Sequence, residues 1–261
     1  MNAKPPAQHA VENYQVQNLG RPAGERWVTM SNALTRAGHG LTLSEKRIIA
    51  CAISKLDSRK AYQPGMEATT RISAHEYAET FQVDLKTAYE QLQDAARQLY
   101  SRSITFYEPS SRRKGKDISL TKVQVRWVGM VKYQKGEGWV ELEWFHKLLP
   151  QLVGLKKHFT SYQLAQASAL RSTYSWRLLE LLMRFEGTGW AEYTMEDFRV
   201  SMDAPPSLSD FAQVKRRIIE PAVKELTQKD GWRLSWKPIK AGRKVVAVRF
   251  EFKRDEQMRL F

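Results

Sequence analysis

The segment Leu208–Lys229, LSDFAQVKRRIIEPAVKELTQK, is the strongest indication of the fold. At helical spacing its apolar side chains fall on one stripe, while its cations and amides fall on the opposite face and its flanks. The stripe consists of Phe211, Val214, Ile218, Ala222 and Leu226. The pattern predicts an amphipathic helix. Pro221 inside it predicts a kink or a junction of two shorter helices, because proline lacks a backbone N–H and clashes with the preceding turn.

A basic β-hairpin is predicted directly after this helix. Gly231–Lys253 contains two alternating segments, Trp232–Lys237 and Lys244–Phe252, with Arg243 and Lys244 at the turn between them. A long basic helix followed by a hairpin is typical of a winged helix. In that fold the helix suits the major groove of DNA and the hairpin forms the wing.

The first half of the chain has the same order of elements. Capping-box sequences at Thr42–Glu45 and Ser73–Glu76 predict the starts of two helices, and Asp84 predicts the N-cap of a third, longer one. The apolar stripe of this long helix consists of Leu85, Leu92, Ala95 and Leu99. The strand-like segments that follow it are Ser103–Tyr107, Lys122–Tyr133 and Trp139–Trp144.

The second half repeats this plan before the hairpin closes it. Tyr162–Phe185 predicts a helical stretch that is broken near Arg171–Thr173, and Tyr193–Phe198 resembles Ile72–Tyr77. The sequence therefore predicts an α+β fold of two tandem winged-helix domains, with helices dominant and small antiparallel hairpins. We expect the domains over residues 26–147 and 148–255, with tails at 1–25 and 256–261.

The charge balance favours a polyanionic partner. Lysine and arginine number 42 against 28 aspartate and glutamate, so the formal net charge is +14. The excess is shared equally by residues 1–150 and 151–261, which favours an extended polyanion over a single acidic substrate. On charge alone, a solvated basic surface explains the composition equally well.

The two long helices differ in their predicted outward faces. The outward face of the first helix consists of Lys86, Glu90, Gln91, Asp94 and Arg97. Its two carboxylates would repel the phosphates of DNA. Base reading is therefore expected mainly in the second domain. The DNA-binding residues predicted there are Ser209, Gln213, Lys215, Arg216 and Arg217 on the helix and Arg243 and Lys244 on the wing. The first domain is expected to contact the DNA backbone through Arg112, Arg113, Lys114 and Lys116.

Other function classes are disfavoured by the sequence. The single cysteine, Cys51, cannot form an intrachain disulfide, so we expect a buried thiol and a reducing compartment. Signal-peptide and membrane-length apolar runs are absent from the sequence, which predicts a cytoplasmic protein with no membrane partner. No cofactor, metal or catalytic residue is expected, because no glycine-rich phosphate loop is present and no two histidines have ligand spacing among His9, His39, His75, His146 and His158.

The sequence resembles the replication initiator (Rep) proteins of iteron-containing bacterial plasmids. The segments that carry the resemblance are Val28–Leu34, Leu41–Ile48, Phe159–Tyr162, Ser172–Leu182 and Phe211–Leu226. Together they lie in the expected order over nearly the whole chain, from about Trp27 to Phe252. The family's reading helix corresponds to Ser209–Arg217, and Tyr162 and Trp176 match positions that we assign to the core.

The resemblance implies a function beyond DNA binding. It implies two winged-helix domains that bind directly repeated origin sites, called iterons, as a monomer. It also implies a dimer that represses the protein's own promoter at an inverted repeat, with the first domain remodelled for dimerisation. Bound initiator would help to open an AT-rich segment and to recruit the host replication initiator and the replicative helicase, with chaperones as further partners.

Two other functions, transcriptional repression and rolling-circle nicking of DNA, are alternatives to replication initiation. A transcriptional repressor with two winged helices would use the same DNA-binding residues; one inverted repeat in the neighbouring DNA would favour it, whereas several direct repeats beside an AT-rich stretch favour an initiator. A rolling-circle nicking enzyme needs a closely spaced histidine pair and a nucleophilic tyrosine. The spacing of the histidines disfavours that enzyme.

Overall fold

The chain is described over residues 21–109, 120–134, 136–229 and 231–254 in a computed structural model. The elements of the first part are β1 (Trp27–Ser31), α1 (Asn32–Arg36), α2 (Leu43–Ile53), β2 (Thr69–Ser73), α3 (Ala74–Phe81), α4 (Leu85–Leu99), β3 (Ser103–Pro109), β4 (Leu120–Arg126), β5 (Val128–Tyr133) and β6 (Trp139–Trp144). Those of the second part are β7 (Phe159–Gln163), α5 (Leu164–Ser168), α6 (Thr173–Met183), β8 (Trp190–Thr194), α7 (Met195–Ser201), α8 (Phe211–Val214), a π-helical turn (Lys215–Ile219), α9 (Glu220–Lys229), β9 (Trp232–Ala241) and β10 (Lys244–Arg254). Short 3-10 turns lie at Ala23–Glu25 and Leu149–Gln151.

Two three-stranded antiparallel sheets repeat one strand order. The first sheet has the order β2–β6–β5 and the second the order β8–β10–β9, so in each the last strand lies at the centre. In each copy a helix, a strand, a short helix and a long helix precede the final pair of strands. This repetition confirms the predicted α+β fold of two tandem winged helices.

The predicted helix starts of the first copy are confirmed by their caps. The Thr42 hydroxyl accepts a hydrogen bond from the Glu45 N–H at 3.4 Å, and the Glu45 carboxylate accepts one from the Thr42 N–H at 2.8 Å. Ser73 and Asp84 each accept a hydrogen bond from the backbone N–H three residues later. The predicted reciprocal bond from Glu76 is not formed, because its carboxylate binds Arg26 and Lys55 instead. Local hydrogen bonding between side chain and backbone therefore positions all three helices.

The strands of the first copy differ from the prediction. The hairpin β3–β4 pairs only with itself among the strands, from Ser103 opposite Arg126 to Pro109 opposite Leu120, apart from an isolated bridge to Gly38. The predicted strand Lys122–Tyr133 is broken at Trp127, which is buried and donates to the His39 carbonyl at 3.1 Å. The segment after the break joins β6, which is the central strand of the sheet.

A strand replaces the start of the helix predicted from Tyr162. Residues Phe159–Gln163 form β7, which pairs antiparallel with β1 and so places Tyr162 opposite Val28. This long-range pairing overrides the local helical pattern, although the predicted break near Arg171–Thr173 is confirmed by the gap between α5 and α6. The two paired strands lie on opposite sides of the predicted domain boundary between residues 147 and 148, and the position of that boundary stays a prediction.

A buried cluster of ionic side chains links α2 and α6. Glu180 is fully buried and accepts hydrogen bonds from Lys46 at 2.7 Å, from Arg177 at 3.2 Å and from the Tyr162 hydroxyl at 2.9 Å. The Trp176 indole donates in turn to that hydroxyl at 2.9 Å. Tyr162 and Trp176 therefore belong to the core, as predicted, and burial lowers the pKa of Lys46 to about 8.

Candidate nucleic-acid interface

The segments α8, the π turn and α9 are contiguous and are called the composite helix below. Val214, Ile218, Ala222 and Leu226 are buried, and Phe211 is half-buried against the core, which confirms the predicted apolar stripe. Pro221 follows the π turn, in which the Glu220 N–H donates to the Lys215 carbonyl. The structure thus places an i→i−5 turn where the sequence predicted a kink or a junction of two helices.

The start of the composite helix is held by side chains from within it and from α7. The Asp210 carboxylate accepts a hydrogen bond from the Gln213 N–H at 2.8 Å, as an N-cap. The Arg199 guanidinium donates to the carbonyl oxygens of both Leu208 and Ser209, the latter at 2.8 Å. Leu208 is also buried, so the position and direction of the first turn of the composite helix are fixed.

The basic face of the composite helix holds two unpaired arginines. Arg216 and Arg217 are exposed, and neither has a hydrogen-bond or ion-pair partner within the described ranges. Lys215 differs, since its ammonium lies 3.5 Å from Glu220 and 5.9 Å from the centre of the Trp236 ring. Ser209 is exposed and Gln213 is half-buried. The predicted helix residues therefore all lie near the start of the composite helix, but they differ in how accessible they are to a ligand.

The wing brings the two other predicted residues of the second domain to its tip. Ala241 pairs with Lys244 across a two-residue turn, Gly242–Arg243, and Gly242 has a φ of +61°, a left-handed value that favours glycine. Arg243 and Lys244 are exposed there, as is Lys240. Sequence analysis missed Lys240, which the alternation of β9 beside the turn could have indicated.

Two other cations of the second sheet are paired with carboxylates. Lys237 lies 3.3 Å from Glu251, and Arg249 lies 3.8 Å from Glu192 and 3.3 Å from Glu251. The Arg249 guanidinium also lies 4.2 Å from the centre of the Trp190 ring. Within the described residues, the basic end of the composite helix and the wing tip both carry exposed cations without an ion-pair partner, as do the single positions Lys224 and Lys253.

The equivalent helix of the first copy, α4, keeps its carboxylates exposed. Glu90 and Asp94 are exposed, and Asp94 is paired with Arg97 at 3.7 Å. Two predictions for this helix are wrong: Gln91 accepts a hydrogen bond from the buried Tyr77 at 2.7 Å instead of facing outward, and Leu85, in the first turn, is 38% exposed instead of lying in the stripe.

The predicted backbone contacts of the first domain, Arg112, Arg113, Lys114 and Lys116, lie outside the described residues. The strands on either side of them, β3 and β4, carry exposed Tyr107 opposite exposed Lys122. Arg126 of β4 donates to the Tyr100 carbonyl at 3.0 Å and lies over its ring. The described part of this hairpin therefore carries two basic side chains, Lys122 and Arg126, on β4.

The described ranges contain one cysteine and no cluster of metal ligands. No group of three or more His, Cys, Asp or Glu side chains in them is arranged to hold a metal ion, and none of their helices is long and apolar enough to cross a membrane. Cys51 is buried, and burial raises the pKa of its thiol, which makes it a poor nucleophile.

The fold and the exposed basic helix and wing define a tandem winged-helix protein. Residues 27–183 match the family described as "Initiator Replication protein, WH1", and residues 194–252 match "Initiator Rep protein, WH2". The chain therefore belongs to the initiator replication protein family.

Relatives and a solved structure agree with this assignment. A replication initiation protein of Escherichia coli is 24% identical over 238 residues, which cover 89% of this chain and 71% of the relative. The PI protein of Escherichia coli is 22% identical over 251 residues, covering 86% and 82%. The crystal structure of Pi initiator protein in complex with iteron DNA matches 89% of this chain and 99% of that one, with a TM-score of 0.71 and 20% identity, and so shares the fold.

Proposed function

We propose that this protein initiates plasmid replication by binding directly repeated double-stranded sites at an origin. The observation that carries the proposal is the pair of exposed arginines, Arg216 and Arg217, at the firmly held end of the composite helix, which have no partner among the residues that the structure describes. The structural match to an initiator solved on iteron DNA supports repeated sites as the target.

The helix residues divide into two proposed roles. Arginine can donate two hydrogen bonds to guanine and glutamine can bond adenine in the same way, so Arg216, Arg217 and Gln213 are assigned to base reading. Lys215 is tethered beside Glu220 and Trp236 and is assigned to a phosphate, as are Arg243 and Lys244 on the wing. Ser209 lies just before the helix and suits a phosphate contact.

The first domain is assigned to backbone contacts and to pairing. Its long helix exposes carboxylates, which would repel the phosphates on either side of a DNA groove. The basic segment with Arg112, Arg113, Lys114 and Lys116 is suited to contacts with the DNA backbone. We further propose a dimer that represses the protein's own promoter, and recruitment of the host initiator and the replicative helicase, with chaperones as further partners. The proposal includes no catalytic step and places the protein in the cytoplasm with plasmid DNA.

A gel-shift titration with the flanking DNA of the gene tests the reading helix. Arg216→Ala should weaken specific binding by about 1–3 kcal/mol, or about fivefold to 150-fold, and relax preference at one base position. Lys224→Ala is the matched control, because it removes one exposed cation from α9 beyond Pro221. If Arg216→Ala bound the specific site with unchanged affinity, Arg216 would not read a base and the assignment of base reading to the composite helix would be wrong.

The neighbouring DNA separates initiator from repressor. Several direct repeats beside an AT-rich stretch, protected together in a footprint, support initiation, whereas a single protected inverted repeat supports a repressor with the same fold. Metal-dependent strand cleavage by the purified protein would overturn the assignment as a non-enzyme.

A further inference from the structure

The composite helix contains one residue more than a regular α-helix would need between its two ends. The Glu220 N–H donates to the carbonyl five residues earlier, that of Lys215, and the consecutive residues Ile218 and Ile219 are both buried. Each residue turns an α-helix by about 100°, so the extra residue rotates everything before the turn by about that angle relative to everything after it. The predicted base-reading residues lie in and before the turn.

Each end of the composite helix is anchored on its own. The first end is held by Arg199, by the Asp210 cap and by Phe211, whose ring centre lies 6.2 Å from that of Trp236. The second end buries Ala222 and Leu226 against the core, and the Glu225 carboxylate accepts a hydrogen bond from the Arg171 N–H at 2.8 Å. The π turn alone therefore relates the rotation of one end to that of the other.

Pro221 disfavours the regular alternative at this point. In a continuous α-helix, residue 221 would donate to the Arg217 carbonyl, and a proline there has no N–H and a ring that clashes with that oxygen. The wider turn just before Pro221 uses the i→i−5 bond of Glu220 instead.

We infer that Pro221 is a positioning residue for sequence recognition, because it maintains the π turn that sets the direction of Arg216 and Arg217. This inference rests on the proposed base reading by the composite helix. Pro221 itself contacts no base in this account. It acts instead by setting the direction in which Arg216 and Arg217 leave the helix axis.

The inference predicts that stability and specificity separate in Pro221→Ala. Alanine supplies the missing N–H and is the best helix former, whereas loss of the proline also frees the unfolded chain. The helix preference is the larger effect, so the variant should unfold at the same temperature as the unaltered protein or higher. Specific affinity should nevertheless fall about tenfold to a hundredfold, because the arginines are rotated away from their bases. Binding to unrelated duplex DNA should change by less than about twofold, since no charge is removed.

The experiment measures these three quantities on Pro221→Ala, with Pro64→Ala in an exposed turn of the first domain as the matched control. Hydrogen-bond couplings in NMR spectra show whether the Glu220 N–H still donates to Lys215 or now donates to Arg216. Loss of specific affinity with retained stability and a shifted hydrogen bond supports the inference. Unchanged specific affinity, or equal losses in specific and unrelated binding together with a lower unfolding temperature, would overturn it.

Failure of the inference is distinguishable from failure of the proposed function. If Arg216→Ala loses specific affinity but Pro221→Ala does not, the helix reads bases and the π turn does not set its phase. If Arg216→Ala itself binds the specific site normally, the composite helix is not the reading element.

Discussion

The buried carboxylate of Glu180 provides a stringent test of how the α2–α6 junction is held together. Glu180→Gln keeps the shape of the side chain but removes the charge that faces Lys46 at 2.7 Å and Arg177 at 3.2 Å. Both cations remain about 97% buried, and breaking a buried pair in this way costs about 3–5 kcal/mol. We therefore expect the free energy of unfolding to fall by about that amount.

Urea denaturation followed by circular dichroism measures the loss. Asp94→Asn is the control, because it removes a carboxylate paired with Arg97 at 3.7 Å whose side chain is 71% exposed, and such surface pairs contribute about 0–1 kcal/mol. A cost below about 1 kcal/mol for Glu180→Gln would show that Glu180 is not needed to compensate the two buried cations, since Lys46 and Arg177 would then have found other partners or water.

Two further predictions concern pH and salt. Burial, reinforced by Arg177 and Lys46, lowers the pKa of His39 well below its ordinary 6.5, so the unfolded chain binds a proton that the folded chain does not. The contribution of His39 to stability should thus be fully present above about pH 6.5 and be lost as the pH falls below it. In urea titrations His39→Gln should therefore lose less stability between about pH 7 and 5.5 than the unaltered protein; equal losses would contradict this. At the wing, Arg243→Ala and Lys244→Ala should each lower the slope of log binding constant against log salt by about 0.9, for specific and unrelated DNA alike. An unchanged slope in gel-shift titrations over a salt series would exclude the wing tip from phosphate contact.

Helices with local caps could be predicted from the sequence. Thr42, Ser73 and Asp84 each bond to a backbone N–H three residues away, so the whole signal lies within one turn. The order of the predicted helices and strands and the spacing of their apolar residues recur in the second half of the chain. That repetition was sufficient to predict two winged helices.

Long-range pairing could not be predicted in the same way. The pairing of β7 with β1 joins residues about 130 positions apart, and the break at Trp127 depends on a hydrogen bond to His39 in a distant loop. Gln91 looked outward by helical spacing but bonds to Tyr77 of the preceding helix. In each case a partner remote in sequence decides the outcome.

The candidate site was predictable in composition but not in detail. The sequence shows a cluster of cations, yet only the structure separates unpaired Arg216 and Arg217 from Lys215, which lies beside Glu220. Arg199 was missed because it lies in the preceding helix and bonds only to backbone oxygens, for which no sequence motif exists.

Guanine methylation interference on the repeated origin sites tests most directly whether the composite helix reads bases. A methyl group on guanine N7 blocks an arginine that bonds N7 and O6 in the major groove. Base reading by the composite helix should give interference at particular guanines in each repeat, with one of those positions lost in Arg216→Ala and the others retained. Identical interference patterns for the unaltered protein and Arg216→Ala would contradict it.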